Sequence, residues 1–119
     1  MIKNIQIGDK EVQFKTSAAI PHIYRRKFGR DIFIDMDQLQ NAIKKSADGS
    51  SSLSIDSLEM FENLAFCFAR HADPTIPEDV EEWLEQFETF DIYNILPELF
   101  DMWVFESKTS SKLKKKNAQ

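Results

Sequence analysis

The acidic run between residues 78 and 88 is the densest group of side chains that could perform chemistry. It consists of Glu78, Asp79, Glu81, Glu82, Glu85 and Glu88. Carboxylates can bind metals or transfer protons, but a catalytic pair needs surroundings that drive the two pKa values apart. The neighbouring sequence offers no such surroundings. The run therefore indicates a solvated helix face whose acids lie near the positive end of the helix dipole.

Cys67 and His71 are four residues apart and could share one helix face as metal ligands. A zinc site needs about four ligands, and the chain has no second cysteine. We therefore predict a buried Cys67 and a His71 at a helix end. The serines at 50–52 lack a nucleophile-elbow motif, and three glycines cannot form a phosphate-binding loop. The sequence predicts no catalytic residue, no cofactor and no metal site, so an enzyme is not expected.

One basic cluster could bind nucleic acid. It comprises Arg25, Arg26, Lys27 and Arg30, and it is interleaved with Tyr24 and Phe28. All 20 acidic residues but only 10 of the 15 basic ones lie in residues 1–106, so this part carries −10. Phosphate-backbone binding needs a basic surface. We therefore expect the cluster to pair with the surrounding carboxylates, and nucleic-acid binding is disfavoured.

The elements that hold these residues begin with a β-hairpin. Ile5 and Ile7 alternate with polar residues, Gly8-Asp9 can form the turn, and Val12 and Phe14 continue the alternation. A short helix should follow and end at Gly29, which is suited to a left-handed stop. Two starts remain open for it: a cap at Thr16 or Ser17, or Pro21 as the first helical residue.

The remaining pattern is helical. A second helix is predicted over 31–47, a loop over 48–52, a third helix over 56–71 and a fourth from Pro77. The third is apolar over so much of its circumference that it must be central or covered by a partner. A fifth carries the cleanest stripe, with Pro97 predicting a kink or break near Ile95. Its members are Ile92, Ile95, Leu96, Leu99, Phe100 and Trp103.

The C-terminal residues 107–119 differ from the rest of the chain. They contain five lysines, no acid and almost no apolar residue, so they cannot bury enough surface to offset the entropy of ordering. We predict an α+β, mainly α fold: one domain over 1–106, with a hairpin and about five helices, and a disordered basic tail over 107–119. The sequence has neither a membrane-spanning run nor a signal-peptide core, which predicts a cytoplasmic protein.

Two segments resemble the opening of siphophage tail assembly chaperones of Gram-positive hosts. Residues 8–15 read GDKEVQFK and residues 24–31 read YRRKFGRD. The later segments 83–87, 92–98 and 99–103 are similar to that family's later helices, and a Ser/Thr/Lys tail follows. The family often has a capping-type residue where this chain has Ile20. The positions that match the family pattern are Phe14, Tyr24, Arg25, Phe28, Gly29, Asp31 and Trp103.

The resemblance implies binding without catalysis. Such chaperones coat the tape-measure protein, a long helical chain that aggregates before the tail tube surrounds it. A longer form, made by ribosomal frameshifting, recruits tail-tube subunits, and the chaperone is absent from the mature virion. It would therefore act in the cytoplasm of the host bacterium. Lys115-Lys116-Asn117 can be encoded by A-AAA-AAC, a slippery heptamer, if the codons are the required ones. Homo-oligomers are compatible with the sequence but cannot be derived from it.

Several apolar residues fall off or beside the main helical stripes and are candidates for contact with a partner, since aromatic residues and Met are enriched at interfaces. They are Met60, Phe61, Phe66, Phe90, Met102 and Phe105. The alternative is that these side chains complete the core. The rival function is a small nucleic-acid-binding or regulatory phage protein that uses the basic cluster and the lysine tail.

Overall fold

The computed structural model describes residues 1–47 and 54–104. The fold is α+β and mainly α, as predicted, with an N-terminal hairpin followed by helices. Strands β1 (Ile2–Ile7) and β2 (Lys10–Lys15) pair antiparallel, with Ile7 opposite Lys10 across the turn. Gly8 has φ 62°, a value that a two-residue hairpin turn requires and that glycine adopts without steric cost.

Helix α1 (Ile20–Phe28) leads directly into a sharp corner. The helix begins at Ile20, one residue before the predicted start at Pro21, and no side chain caps it, so the alternative cap at Thr16 or Ser17 is wrong. Gly29 ends the helix at φ 67°, and its N–H donates to the Arg25 carbonyl at 2.8 Å. The predicted left-handed stop is confirmed.

Two long helices follow, α2 (Ile32–Ala47) and α3 (Ile55–Ala72), within about one residue of their predicted bounds. Asp31 precedes α2, and its carboxylate accepts the Phe33 N–H at 2.8 Å. Ser54 caps α3 by accepting the Ser57 N–H at 3.1 Å. The predicted loop over 48–52 lies outside the described residues.

The last elements are short. Helix α4 (Val80–Leu84) begins at Val80, so the predicted start at Pro77 is wrong. Asp79 is the N-cap, and its carboxylate accepts the Glu81 N–H at 3.3 Å. Helix α5 (Thr89–Tyr93) is followed by a turn at 94–95, and helical residues resume as α6 over 96–104. The predicted break near Ile95 is confirmed.

One hydrophobic core contains residues from every element, and α3 is its centre. The buried side chains of α3 point in most directions around the helix: Met60, Phe61, Leu64, Ala65, Phe66, Cys67, Phe68 and Ala69. Strand β2, both preceding helices and α4 pack against it. The apolar circumference of α3 is therefore that of a central helix. No helix of the described segments is both long and apolar enough to cross a membrane.

Candidate partner-binding surface

A ladder of three aromatic rings leads from the core to the surface. Phe68 of α3 is 1% exposed and stacks on Trp103 of α6, with ring centroids 6.1 Å apart and planes at 13°. Trp103 is partly buried, and its ring lies 5.8 Å from that of Phe33 in the first turn of α2. Phe33 is 60% exposed. The outer ring is thus held by aromatic contact while most of its surface faces solvent.

Ile34 lies next to Phe33 and is 56% exposed. The inward face of this turn consists of Ile32, Asp35 and Met36, all of which are buried, so both exposed residues lie on the outward face. We call Phe33, Ile34 and Trp103 the aromatic patch. Exposed apolar clusters on a folded protein commonly mark contact sites for other proteins, and aromatic residues are enriched in them.

The aromatic patch was only partly anticipated from the sequence. Trp103 was a family-motif position, whereas Phe33 and Ile34 were missed. A signal was available: the α2 stripe of Ile32, Met36, Leu39 and Ile43 leaves both of these large apolar residues off the buried face, Phe33 on its flank and Ile34 opposite to it.

Four of the six predicted partner-contact residues are core residues instead. Met60, Phe61, Phe66 and Met102 are between 1% and 8% exposed. For the first three the physical reason is that α3 is packed on several sides, so residues beside its main stripe face other elements rather than solvent. Met102 lies on α6 and belongs to the same core. Phe90 is 77% exposed and stays a candidate, and Phe105 lies outside the described residues.

The family-motif positions mostly build the structure. Phe14 and Tyr24 are fully buried, and the Phe28 ring packs at 5.1 Å from that of Tyr24. Gly29 and Asp31 form the corner before α2. Arg25 is exposed, and its guanidinium lies 3.4 Å from His22 Nδ1. Trp103 alone among these positions belongs to the aromatic patch.

A buried carboxylate fixes the corner between α1 and α2. Asp35 is 1% exposed and accepts hydrogen bonds from the Tyr24 hydroxyl at 2.6 Å and from Arg30 through Nε and Nη2, both at 2.8 Å. Burial raises the pKa of Asp35, but the hydrogen bonds from Arg30 and Tyr24 outweigh it and hold the pKa below its ordinary value. Burial, with the Asp35 hydrogen bond, raises the pKa of Tyr24.

The basic cluster pairs with carboxylates at one position only among the described contacts. Arg30 forms the bidentate pair with Asp35. Lys27 instead donates to the Glu78 carbonyl at 2.6 Å and lies 5.3 Å from the Phe66 ring centroid. Arg26 is exposed. The predicted pairing with carboxylates is thus confirmed for Arg30 and not for Lys27.

Cys67 and His71 line a cleft of about 280 Å³ between α1 and α3, together with Ile23, Lys27, Phe66, Arg70 and Pro74. Burial raises the pKa of the Cys67 thiol to about 12. His71 Nε2 lies 2.8 Å from Ser17 Oγ, which also accepts the Ala19 N–H. These contacts tie the end of the hairpin to α3. The predictions of a buried Cys67 and of a His71 at a helix end are both confirmed, since Cys67 is buried and His71 lies in the last turn of α3.

Within residues 1–47 and 54–104, no group of three or more His, Cys, Asp or Glu side chains is arranged to hold a metal ion. All six residues of the acidic run are exposed. Glu81 and Glu82 lie in α4, Asp79 caps that helix, and Glu78 accepts a hydrogen bond from Arg70 Nη2 at 3.3 Å. Comparison of the chain with protein-family models, curated proteins and solved structures found no match.

Proposed function

We propose that this protein is a phage tail assembly chaperone that binds and solubilises the tape-measure protein while the tail tube forms. It acts by contact alone, without catalysis, in the cytoplasm of the host bacterium, and it is absent from the finished virion. A frameshifted longer form recruits the tail-tube protein. The order and spacing of the motifs in residues 8–15 and 24–31 support the family, and the aromatic patch supports the mode of action.

The aromatic patch is the observation that carries the proposal. The chain has enough apolar residues to bury a complete core, yet Phe33 and Ile34 remain 60% and 56% exposed on adjacent positions. Full burial of a side chain of this size stabilises by about 1.5–3 kcal/mol relative to full exposure, and more than half of each of these two is still uncovered. A long amphipathic helix of the tape-measure protein would recover that free energy by placing its own apolar stripe on the patch.

The rival nucleic-acid function has less support from the geometry. Two of the four residues of the basic cluster make contacts within the protein: Arg30 pairs with Asp35, and Lys27 donates to the Glu78 carbonyl. Arg25 and Arg26 are exposed, but residues 1–106 around them carry a net charge of −10. This arrangement disfavours a phosphate-binding surface.

Co-expression with the tape-measure protein encoded in the same phage genome tests the proposal. We expect the wild-type chain to raise the soluble yield of the tape-measure protein and to co-purify with it at high salt, because an apolar contact is not screened by ions. The double variant Phe33→Ser/Ile34→Ser should reduce the co-purified tape-measure protein by about tenfold or more. The matched control is Ile55→Ser, which removes an apolar side chain that is 83% exposed and belongs neither to the aromatic patch nor to the predicted contact residues.

The possible outcomes separate the proposal from its rival. Both patch substitutions affect exposed side chains, so circular dichroism should show an unchanged helical fold. Equal co-purification by wild type and double variant would exclude the aromatic patch as the contact. No binding by the wild type, with a salt-sensitive shift of nucleic acid in a gel, would favour the rival. Sequencing the gene across codons 114–117 tests the frameshift separately: without a slippery heptamer and an overlapping −1 frame, the longer form is excluded.

A further inference from the structure

The cleft between α1 and α3 combines an apolar lining with basic side chains. The apolar part of the lining comes from Ile23, Phe66, Cys67 and Pro74. The polar part comes from three basic residues, Lys27, Arg70 and His71. Among the described residues that line the cleft none is acidic, although residues 1–106 carry a net charge of −10. The cleft is therefore a local basic site on an acidic protein.

The ammonium group of Lys27 lies over the aromatic part of this lining. Its Nζ is 5.3 Å from the Phe66 ring centroid and donates to the Glu78 carbonyl at 2.6 Å. A carbonyl carries no net charge, and an ammonium has three donors, so this bond leaves two donors and the charge uncompensated. Within residues 1–47 and 54–104, Lys27 forms no ion pair. A carboxylate from outside the chain can therefore pair with it.

The guanidinium of Arg70 contacts the same acidic residue. Its Nε donates to the Ile76 carbonyl and its Nη2 to Glu78 Oε1, both at 3.3 Å. The Glu78 side chain is 83% exposed, so this ion pair is screened by solvent and weak. A guanidinium has five N–H donors, and two of them are used here. Arg70 can therefore also pair with an incoming carboxylate, either beside Glu78 or in its place.

His71 lies in a positive field even when its ring is neutral. Burial lowers the pKa of His71, and the positive charges of Lys15 and the N-terminal amino group lower it further. Asp73 is close in sequence but does not line the cleft, because its carboxylate accepts the Thr75 N–H at 3.0 Å and the Thr75 hydroxyl at 2.6 Å. The charges around this end of α3 thus favour an anionic group.

The size of the cleft limits what it can hold. Its volume of about 280 Å³ is near the lower end of the range of about 300–1,000 Å³ for ligand pockets, so it suits one large apolar side chain. The basic residues beside it are complementary to a carboxylate. A nucleic-acid strand fits less well, because it carries a charge at every phosphate and most of them would face the acidic surface around the cleft.

From this arrangement we infer that the cleft binds a segment of a partner protein in which an aromatic side chain is flanked by carboxylates. The ring packs on the apolar lining, and the carboxylates pair with Lys27 and Arg70. The inference goes beyond the tail-assembly function and uses no residue of the aromatic patch. Phe66 and Phe68 project about 200° apart around α3, so the cleft and the ladder that leads to the patch lie on different sides of that helix.

A titration followed by NMR tests the inference on the full chain. The probe is the acetylated and amidated peptide Ser-Glu-Phe-Asp-Ser, added to isotopically labelled protein. We expect the backbone amide signals of residues 23–27 and 66–71 to shift, and those of residues 33–34 to stay in place. Replacing the Phe of the peptide by Ser should raise the dissociation constant about tenfold or more. Replacing both acids by their amides should raise it about threefold to tenfold.

Variants of the protein identify the charge that binds the peptide. Lys27 is exposed, so Lys27→Gln should keep the fold, as checked by circular dichroism, and weaken the peptide about threefold to tenfold. Lys27→Arg keeps the charge and should bind within about threefold of wild type. The matched control is Lys44→Gln, which neutralises an exposed lysine of α2 that does not line the cleft and should leave the affinity unchanged.

Three results would overturn the inference. The first is that no amide signal of residues 23–27 or 66–71 shifts at about 1 mM peptide. The second is that Lys27→Gln and Lys44→Gln bind the peptide equally well, which would place the contact elsewhere. The third is that a single-stranded RNA oligonucleotide shifts the same signals and binds more tightly than the peptide, which would assign the cleft to nucleic acid.

Discussion

Removal of the Asp35 carboxylate is expected to destabilise the protein more than any other single change to a polar side chain at the corner of α1 and α2. Asp35→Ala removes the acceptor for three hydrogen bonds, one from the Tyr24 hydroxyl and two from Arg30. Tyr24 is 0% exposed, so its hydroxyl loses its acceptor in a site where water cannot readily replace it.

The magnitude follows from how much of the network remains solvated. Breaking a fully buried ion pair by removing one partner costs about 3–5 kcal/mol. The Arg30 side chain is 50% exposed, so its guanidinium can be rehydrated and the upper end of that range does not apply. The unpaired Tyr24 hydroxyl contributes about 1–3 kcal/mol. We therefore expect Asp35→Ala to lower the free energy of unfolding by about 2–4 kcal/mol.

Urea denaturation followed by tryptophan fluorescence measures this change, because Trp83 is 1% exposed in the core. The matched control is Asp37→Ala, which removes an exposed carboxylate from the same helix and should change the free energy by less than about 0.5 kcal/mol. If Asp35→Ala and Asp37→Ala are equally stable, the network does not hold the corner and the reasoning is refuted.

The pH dependence gives an independent check on the same carboxylate. Folding lowers the pKa of Asp35, so the unfolded chain binds a proton at a higher pH than the folded chain does. The stabilisation is therefore fully present above the unfolded pKa of about 3.9 and is lost as the pH falls through the lower folded-state pKa. Asp35→Asn should flatten this part of the stability curve, as measured by urea denaturation at a series of pH values.

The remaining predictions concern two glycines and the thiol. Gly29→Ala should cost about 1 kcal/mol in urea denaturation, since nothing lies within 4 Å of the added Cβ and only the positive φ is strained. Gly8→Ala should cost more, because its Cβ would also collide with the Asp91 carboxylate, and Asp91→Ala should recover that difference. Cys67 should react with iodoacetamide at pH 8 about 100-fold more slowly in the folded protein than in urea, as measured by mass spectrometry, because the thiol is buried and its pKa is raised to about 12. Equal rates in the two states would contradict that assignment.

Local patterns predicted most of the fold because the deciding interactions are local. Gly8 and Gly29 adopt positive φ values that their own turns require, and the stripe of α2 follows from its period. Helix α4 was misplaced because the competing contacts are distant in sequence. Glu78 bonds with Lys27 and Arg70, and Asp79 rather than Pro77 begins the helix. No sequence window around residue 78 contains Lys27.

The binding surface was harder to predict than the fold. Periodicity shows which residues lie together on a helix, but not whether another element of the same chain or a separate protein covers them. Phe61 and Phe66 of α3 are covered by the chain itself and are 1% exposed, whereas Phe33 and Ile34 of α2 are left uncovered. That distinction depends on the positions of α1, α4 and α6 around α3, which only the tertiary structure supplies.

The motif that carries the family resemblance is in direct contact with the surface proposed to bind the partner, because motif residue Asp31 accepts the N–H of Phe33 in the aromatic patch. Gly29 ends α1, and the Tyr24 hydroxyl of that helix donates to Asp35 of α2. Asp31 caps the first turn of α2 by accepting the Phe33 N–H. The same turn presents Phe33 to solvent. A change at Gly29 that shifts this corner would therefore displace Phe33 from the Trp103 ring without removing any apolar atom from the aromatic patch. In the proposed function, the motif residues would act on partner binding by orienting the first turn of α2, so a motif that mostly builds structure can accompany a contact made at the surface.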